Sequence, residues 1–381
     1  MSRHLRTVFL TCPYGQVGGG MGSIMAYLAS LAVDPSGRFR LVPLESRGGG
    51  RLIFSPLFLA AAVGRIFAEA ARGRLAVVHL NLAERGSVYR KAVLLFAARL
   101  VGARVLLHLH AAQIVALYET MSGPGRALLR AMFRSADRCV VLGELWRRWL
   151  IDEFGIAPYA VSVVRNGVPV TVQPRQARAK GEPFRLLFLG NLLERKGVAD
   201  LLQAMALPAL QDAPVALTMA GGGPVDTYRA MAQRLGIADR VRFTGWVDQK
   251  TARTLLAASD ALVLPAYDEG LPLVILEAMA TGVPVICSPV GAIPEVFDDR
   301  RNAVFVPPGD PAALAATIAM LRDDPALQAS LSEEGLALYR RSFTMEVFAD
   351  RMSELYTLLD HPRSSRSEHA WESVAGARDD R

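Results

Sequence analysis

Asp260-Ala261-Leu262-Val263-Leu264-Pro265, followed by Asp268-Glu269-Gly270-Leu271-Pro272-Leu273-Val274-Ile275-Leu276-Glu277-Ala278-Met279-Ala280, decides how the chain is read. The apolar run from Ala261 to Leu264 predicts a buried strand. Gly270 and Pro272 break it and start a helix, with Pro272 expected at the first helical position, where its missing N–H is no loss. A helix start offers free N–H groups and partial positive charge, which suit an anion. Glu269 lies before the helix and Glu277 eight positions on, inside it. Two acids flanking a helix tip can hold the hydroxyls of one ligand whose phosphate sits at the tip. The same pattern also describes an ordinary strand–loop–helix unit with two solvated acids.

Outward from this unit, strands and helices alternate in both directions. Upstream, strands are predicted at 185–189, 215–220 and 241–245, with helices at 200–205, 226–235 and 249–258. Downstream come strands at 283–287 and 303–306, then helices at 311–321, 326–339 and 345–358. Residues 169–183 contain Pro169, Pro174 and Pro183 with few apolar residues, a linker by composition. Before them the alternation repeats: strands at 6–11, 40–44, 75–80, 104–110, 138–142 and 161–164, helices at 24–32, 54–71, 87–101, 123–135 and 143–154. The expected fold class is α/β, with two doubly wound, Rossmann-like domains facing across a cleft. The expected domains are 1–168, a linker at 169–183, 184–342, a helix at 343–360 that crosses back to the first domain, and a disordered tail at 361–381.

The first strand is followed by a loop, Pro13 to Ser23, holding Gly15, Gly18, Gly19, Gly20 and Gly22. A strand, a glycine-rich turn and a helix can cradle phosphate. The dinucleotide fingerprint fails, because no third glycine follows Gly20-Met21-Gly22, and there is no P-loop. His108 and His110 fall near the end of the 104–110 strand, where ligands of open α/β sheets collect. Period two puts them on one side, and His110 is nearer the mouth. A packed or capping role for either histidine is the competing reading.

Composition sets bounds. The 381 residues are 51% hydrophobic, enough for large cores. Cys12, Cys139 and Cys287 are far apart, without metal spacing, and suggest a reducing compartment. No apolar run reaches the ~20 residues that span a bilayer, and the N-terminus reads as a strand rather than a signal peptide. Residues 1–170 hold 21 Lys and Arg against 9 Asp and Glu, a net +12. The remainder is −5 out of the overall +7. A basic first half implies an acidic partner. Aromatic residues are 7%, with no nucleic-acid motif, so no nucleic acid is expected. In the helices at 54–71 and 87–101, basic residues such as Arg65, Arg90 and Lys91 stand beside Tyr89, Leu94 and Phe96. This suits an anionic membrane surface, or equally two helices packed on a sheet with solvated charges.

Arg195 and Lys196, bracketed by Gly190 and Gly197, fall in a strand-to-helix loop. A guanidinium fork and an ammonium suit a diphosphate. There is no Asp-x-Asp and no metal-ligand spacing, so no metal and no cofactor are expected. These cations would then neutralise a departing diphosphate.

The Gly19-Gly20 loop, the strand-end histidine, Asn166-Gly167-Val168, Asn191 to Gly197 with Arg195-Lys196-Gly197, Ala220-Gly221-Gly222-Gly223-Pro224 and Glu269-x7-Glu277 occur here in order. Over about residues 5–360 the chain resembles the family 4 retaining glycosyltransferases, of GT-B fold. The resemblance implies that Arg195 and Lys196 bind the diphosphate of a UDP- or GDP-linked sugar. It places Glu269 by the donor sugar, with N–H groups of Gly270, Leu271 and Leu273, and Glu277 on the ribose. Gly245-Trp246-Val247 would take the base, with Val247 as the contact. His110 would serve the transferring sugar, and Gly19 and Gly20 would face donor phosphates or acceptor. Leu271 departs from the family, where Phe is common.

His79 to His110 is similar to members from bacterial surface-polysaccharide clusters. That implies a lipid-linked saccharide acceptor and a cytoplasmic enzyme held peripherally at the inner face of the plasma membrane. Front-face transfer, with the leaving phosphate taking the acceptor proton, is what such enzymes are usually assigned. A sugar-nucleotide epimerase of the same fold and a non-catalytic sugar-nucleotide or lipid-binding protein are the alternatives. An NAD-type oxidoreductase would need the missing third glycine.

Overall fold

The computed structural model describes residues 5–12, 19–48, 52–83, 86–110, 113–169, 175–179 and 181–361. The chain divides into two units, one built from residues up to Asn166 and again from Met345, the other from Gly167–Thr344. Each holds one six-stranded parallel sheet.

The first sheet contains β1 (Arg6–Thr11), β2 (Phe39–Leu44), β3 (Leu75–Leu82), β4 (Arg104–Leu109), β5 (Arg138–Val141) and β6 (Val161–Val163). They lie in the order β2-β1-β3-β4-β5-β6. The second contains β7 (Phe184–Leu189), β8 (Val215–Ala220), β9 (Val241–Gly245), β10 (Ala261–Leu264), β11 (Val285–Cys287) and β12 (Val304–Phe305), in the order β12-β11-β10-β7-β8-β9. Central strands are apolar runs because helices cover both faces; all eight residues of β3 are buried. In each sheet the chain first winds one way and then the other. The reversals fall between β1 and β3 and between β7 and β10, where a crevice opens beyond the strand carboxyl ends.

The last helix, Met345–Asp360, packs on β3 and on the helix Gly19–Ser30, within the first unit. Asp360 pairs with Arg6, and Tyr356 Oη lies 2.8 Å from His79 Nδ1. Ser353 Oγ donates to Asp34, which also accepts from the N–H groups of Arg38 (2.9 Å) and Phe39 (2.7 Å). Burial works against the Asp34 charge, but the bonds from Ser353, Ser36 and the backbone win and hold its carboxyl below the usual range.

Several boundaries differ from the sequence reading. The first helix begins at Gly19 rather than Ile24, so Gly19 and Gly20 form its first turn instead of a preceding loop. Its buried residues Gly22, Ile24, Met25 and Leu28 already sit at helical spacing from Gly22 on. The other glycines of that loop, at 15 and 18, lie outside the described residues, as does the expected tail beyond 361. Pro272 is the N-cap, one residue before the helix Leu273–Thr281. Short helices at Ile114–Thr120, Pro208–Gln211 and Ile293–Val296 were too brief to show a period. The described linker residues are tied down: Arg175 and Arg178 pair with buried Asp260, and Gln176 N–H donates to Ala257 O.

Asp34→Ala should remove about 2–3 kcal/mol of stability, because it strands buried N–H groups and unties the last helix. Urea unfolding at pH 7 will show a lowered midpoint. Since the Asp34 pKa is depressed on folding, its contribution holds above the unfolded pKa, near 4, and disappears as pH falls through the folded value. The gap between variant and wild type should therefore close in acid.

Candidate functional site

The carboxyl ends of β7 and β10 flank the reversal in the second sheet, and their loops carry the charged residues. After β7, Glu194–Lys196 forms one 3₁₀ turn closed by Gly197 in the left-handed conformation, φ 67°. A Cβ there would sit 2.0 Å from Pro265 O, so only glycine lets this turn touch the end of β10. Tyr267 N–H donates to Arg195 O, and Arg195 Nη1 donates to Asp268 O at 2.9 Å. The two loops thus build one surface. Lys196 Nζ pairs with Glu269 Oε1, and Arg195 Nη1 lies 3.8 Å from the same oxygen. Glu269 is only 7% exposed, so its charge rests on these cations.

Beyond Glu269 the chain turns into Leu273–Thr281. The N–H groups of Gly270, Leu271 and Leu273 donate no hydrogen bond among the described residues. They are the open donors of a helix start. Gly291 (φ 58°) presses on this loop from the turn after β11; its Cβ would meet Glu269 O at 1.9 Å. Ala292 N–H donates to Gly270 O. Ser288, in the same turn, is fully buried, and its Oγ has no partner among the described residues. Glu277 is half-buried, and burial pushes its carboxyl up to about 7, with Arg253 pulling the other way.

At the β8 and β9 ends, Leu192 N–H donates to Gly222 O, seating the Gly221–Gly223 loop beside Asn191. Trp246 follows β9 and is 61% exposed, leaving a free aromatic face near Gly222; Val247 beside it is half-buried. Arg195, Lys196, Glu269, Gly270, Leu271 and Leu273 are therefore one cluster, with Glu277 one turn further down the helix. Ser288, Gly291 and Arg253 were missed from the sequence. Gly291, in Ser288-Pro289-Val290-Gly291, had a turn signal; Ser288 and Arg253 had none.

The first unit holds a separate polar cluster at the ends of β1, β3 and β4. His110 N–H donates to Leu82 O, and His110 Nε2 is 2.9 Å from Asn81 Oδ1. Asn81 Nδ2 donates to Thr11 O, so the amide oxygen faces the ring and His110 Nε2 carries the proton. His110 Nδ1 is then an acceptor. The His108 and His110 rings are 3.9 Å apart, and His108 Nδ1 is 3.3 Å from His79 Nε2. Burial lowers His110 and His79 to about 3 and holds His108 well below the usual imidazole range, so all three are neutral at pH 7. His108 is wholly buried and His110 half-buried, so of these two His110 is the one a ligand can reach.

Lys91 departs from its expected surface role. It is 7% exposed, with Nζ donating to Ser46 Oγ at 3.1 Å. No group of three or more metal-ligating side chains occurs among the described residues.

Two family models tile the chain: residues 170–337 match "Glycosyl transferases group 1" and residues 7–167 a "Glycosyl transferase 4-like domain". A D-inositol 3-phosphate glycosyltransferase of Thermomonospora curvata is 32% identical over 248 residues, 58% of this chain and 57% of that one. A lipopolysaccharide core biosynthesis glycosyltransferase of Rhizobium meliloti is 33% identical over 201 residues, 51% of this chain and 57% of the relative. The chain spans little more than half the length of these curated relatives. The Anabaena protein HepE, solved with UDP and glucose, superposes with TM-score 0.69 at 17% identity, covering 93% of this chain and all of that one. That likeness shows a shared fold, two Rossmann-like α/β units of GT-B type.

Breaking the Lys196–Glu269 pair should cost more than removing it. Glu269→Leu alone should lose about 3 kcal/mol in urea unfolding, while adding Lys196→Met should return most of it. Additive losses would show that the pair is not coupled.

Proposed function

We propose that this chain, which belongs to the group 1 glycosyltransferases and carries a glycosyl transferase 4-like first half, moves a sugar from a nucleoside diphosphate to a saccharide acceptor with retention. The observation that carries this is the cluster at the reversal of the second sheet: two adjacent cations, open helix-start N–H groups and two separated carboxylates.

The donor diphosphate would lie on Lys196 and Arg195. Arg195 uses one N–H on Asp268 O and keeps the rest of its fork for phosphate oxygens. Lys196, held by Glu269, is aimed before the donor arrives, so little reorganisation is needed as charge builds on the leaving group. Glu269 and the N–H groups of Gly270, Leu271 and Leu273 would hold the sugar hydroxyls, Glu277 the ribose, and Trp246 with Val247 the base. His110, neutral and with Nδ1 as acceptor, would take a hydroxyl of the transferring sugar. Gly19 and Gly20, at a helix start, would face phosphate or acceptor.

In the step itself the acceptor oxygen bonds to the anomeric carbon as the bond to the β-phosphate oxygen breaks. The acceptor proton passes to that phosphate oxygen on the same face. No protein base is required, and we assign neither metal nor cofactor.

A UDP-linked donor is favoured by HepE, which shares the fold and was solved with UDP and glucose. A lipid-linked acceptor in surface-glycan synthesis is favoured by the relative named for lipopolysaccharide core biosynthesis. It is also favoured by an apolar surface on Ser55–Ala71 and the adjoining Gly86–Leu100. Leu57, Phe67, Tyr89, Val93, Phe96 and Leu100 are exposed there beside Arg65. No helix among the described residues is long and apolar enough to cross a membrane. We therefore place the protein peripherally at the cytoplasmic membrane face, where such a surface would dip into lipid.

UDP-glucose has no group of its own titrating near pH 7, so Glu277 should govern how its binding varies with pH. Ionised Glu277 accepts two ribose hydroxyls; protonated, it loses acceptor capacity. Calorimetry should show binding that weakens as pH falls through about 7, where burial has moved this carboxyl. Glu277→Gln should be weaker at pH 8 and flat with pH, and Glu277→Ala should nearly abolish transfer. A wild-type pH profile in Glu277→Gln would remove Glu277 from the site, and epimer formed without acceptor would replace transfer by the epimerase reading.

In flotation assays the protein should rise with anionic vesicles at low salt and release as salt screens the contact. Leu57→Asp with Phe96→Asp should stay at the bottom. Equal flotation of this variant would remove the membrane contact and leave the enzyme reading untouched.

A further inference from the structure

We propose that Lys91, with Ser46 and the Arg90 guanidinium, forms an anion site at the reversal of the first sheet, and that this site takes the phosphate or diphosphate group of the acceptor. The proposal rests on the transferase reading for the word acceptor; the anion site stands on its own geometry.

Lys91 is an expensive residue where it lies. It is buried in a helix face that is apolar apart from Ser87, between Val88 and Leu94–Leu95. A buried ammonium without a counter-charge loses its hydration and gains nothing in return. Among the described residues its one side-chain partner is Ser46 Oγ at 3.1 Å, and no carboxylate there pairs with it. Of the three N–H donors of an ammonium, two are left over. Among the described residues the titratable groups that interact with Lys91 are Arg90, Cys12 and His79, the last neutral. Arg90 repels it, and Arg47 in turn repels Arg90. Cys12 supplies no thiolate, because burial lifts its thiol to about 11. Glu45 precedes Ser46 in the chain; among the described residues its Oε1 is buried without a hydrogen-bond partner, and it forms no ion pair with Lys91. Arg90 adds a buried Nε with no hydrogen-bond partner among the described residues. Burial first, and then Arg90, bring the Lys91 pKa down to about 7.

The position is that of a ligand rather than of a packing fault. Ser46 follows the end of β2, Cys12 follows the end of β1, and Lys91 is in the helix after β3. β1 and β3 flank the reversal at which open parallel sheets bind ligands, and β2 pairs with β1 beside it. Unpaired N–H donors, a hydroxyl and a guanidinium together suit a phosphate. A bound anion would supply the missing counter-charge, return Lys91 to full protonation and take up a proton in doing so. The same helix turns Tyr89 and Val93 outward, so a lipid-linked diphosphate could keep its chain on that apolar side. A phosphorylated soluble acceptor offers the same anion without the chain.

The test is calorimetric titration of sodium pyrophosphate, and separately of farnesyl diphosphate in detergent, into the full chain saturated with UDP. Saturation occupies the Arg195–Lys196 site. Lys91→Met should weaken pyrophosphate binding at least about tenfold, and Ser46→Ala a few-fold, with UDP affinity unchanged in both. Lys91→Met should also melt at or above the wild-type temperature, since it removes a buried unpaired cation. Farnesyl diphosphate bound more tightly than pyrophosphate assigns a lipid-linked acceptor; equal affinities assign a soluble phosphorylated one. Wild-type pyrophosphate binding by Lys91→Met, or a large loss of melting temperature in that variant, overturns the site. If UDP fails to bind, the donor reading falls, and pyrophosphate titrated without UDP into wild type and Lys91→Met still decides the anion site.

Discussion

Parallel strand pairing is the constraint from which the rest follows. Every strand in each six-stranded sheet runs the same way, so all the loops that follow strands gather along one edge. A single reversal of winding in each sheet then opens a crevice at that edge, between β7 and β10 in one unit and between β1 and β3 in the other. Residues far apart in sequence become neighbours without a dedicated device. Arg195 and Asp268 are separated by 73 positions, yet a guanidinium N–H of one reaches the carbonyl of the other. What the local sequence adds is close approach. Gly197 and Gly291 lack the side chain that would hold the loops apart.

Much of this was legible because it is local. Strand–helix alternation survives in composition, since a strand covered on both faces must be an apolar run and a surface helix must show its period. Arg195-Lys196 and Glu269-x7-Glu277 were visible as motifs because each lies within one loop–helix unit. Their mutual contact was not visible, because no pattern within either segment records that Lys196 pairs with Glu269. The same limit hid Ser288, a residue whose only distinction is full burial without a partner among the described residues.

Lys91 shows a second kind of limit. By composition it belongs with Arg90 and the exposed aromatic residues of its helix, and it was read as a surface cation. Helical phase decides otherwise: Lys91 shares the buried side with Val88, Leu94 and Leu95, while Tyr89, Val93 and Phe96 face out. Hydrophobicity alone could not assign those faces, because apolar residues occupy both. A helix that is apolar nearly all round carries little phase information, and that is the condition under which a buried polar residue is misread.

The two reversals treat their lysines, one half-buried and one buried, in opposite ways, and the contrast carries physical meaning. Lys196 is matched by Glu269, so its charge is held in place whether or not a ligand is present. Among the described residues Lys91 has a hydroxyl partner and a like-charged neighbour, so its ammonium is poorly supported until an anion arrives. A paired cation is preorganised for charge that develops during a reaction, because it need not move or gain a proton at that moment. An unpaired one is suited to recognising charge that is already present, because the ligand itself supplies the counter-charge that the site lacks. The first is what a leaving diphosphate requires, and the second is what an acceptor that arrives already phosphorylated requires.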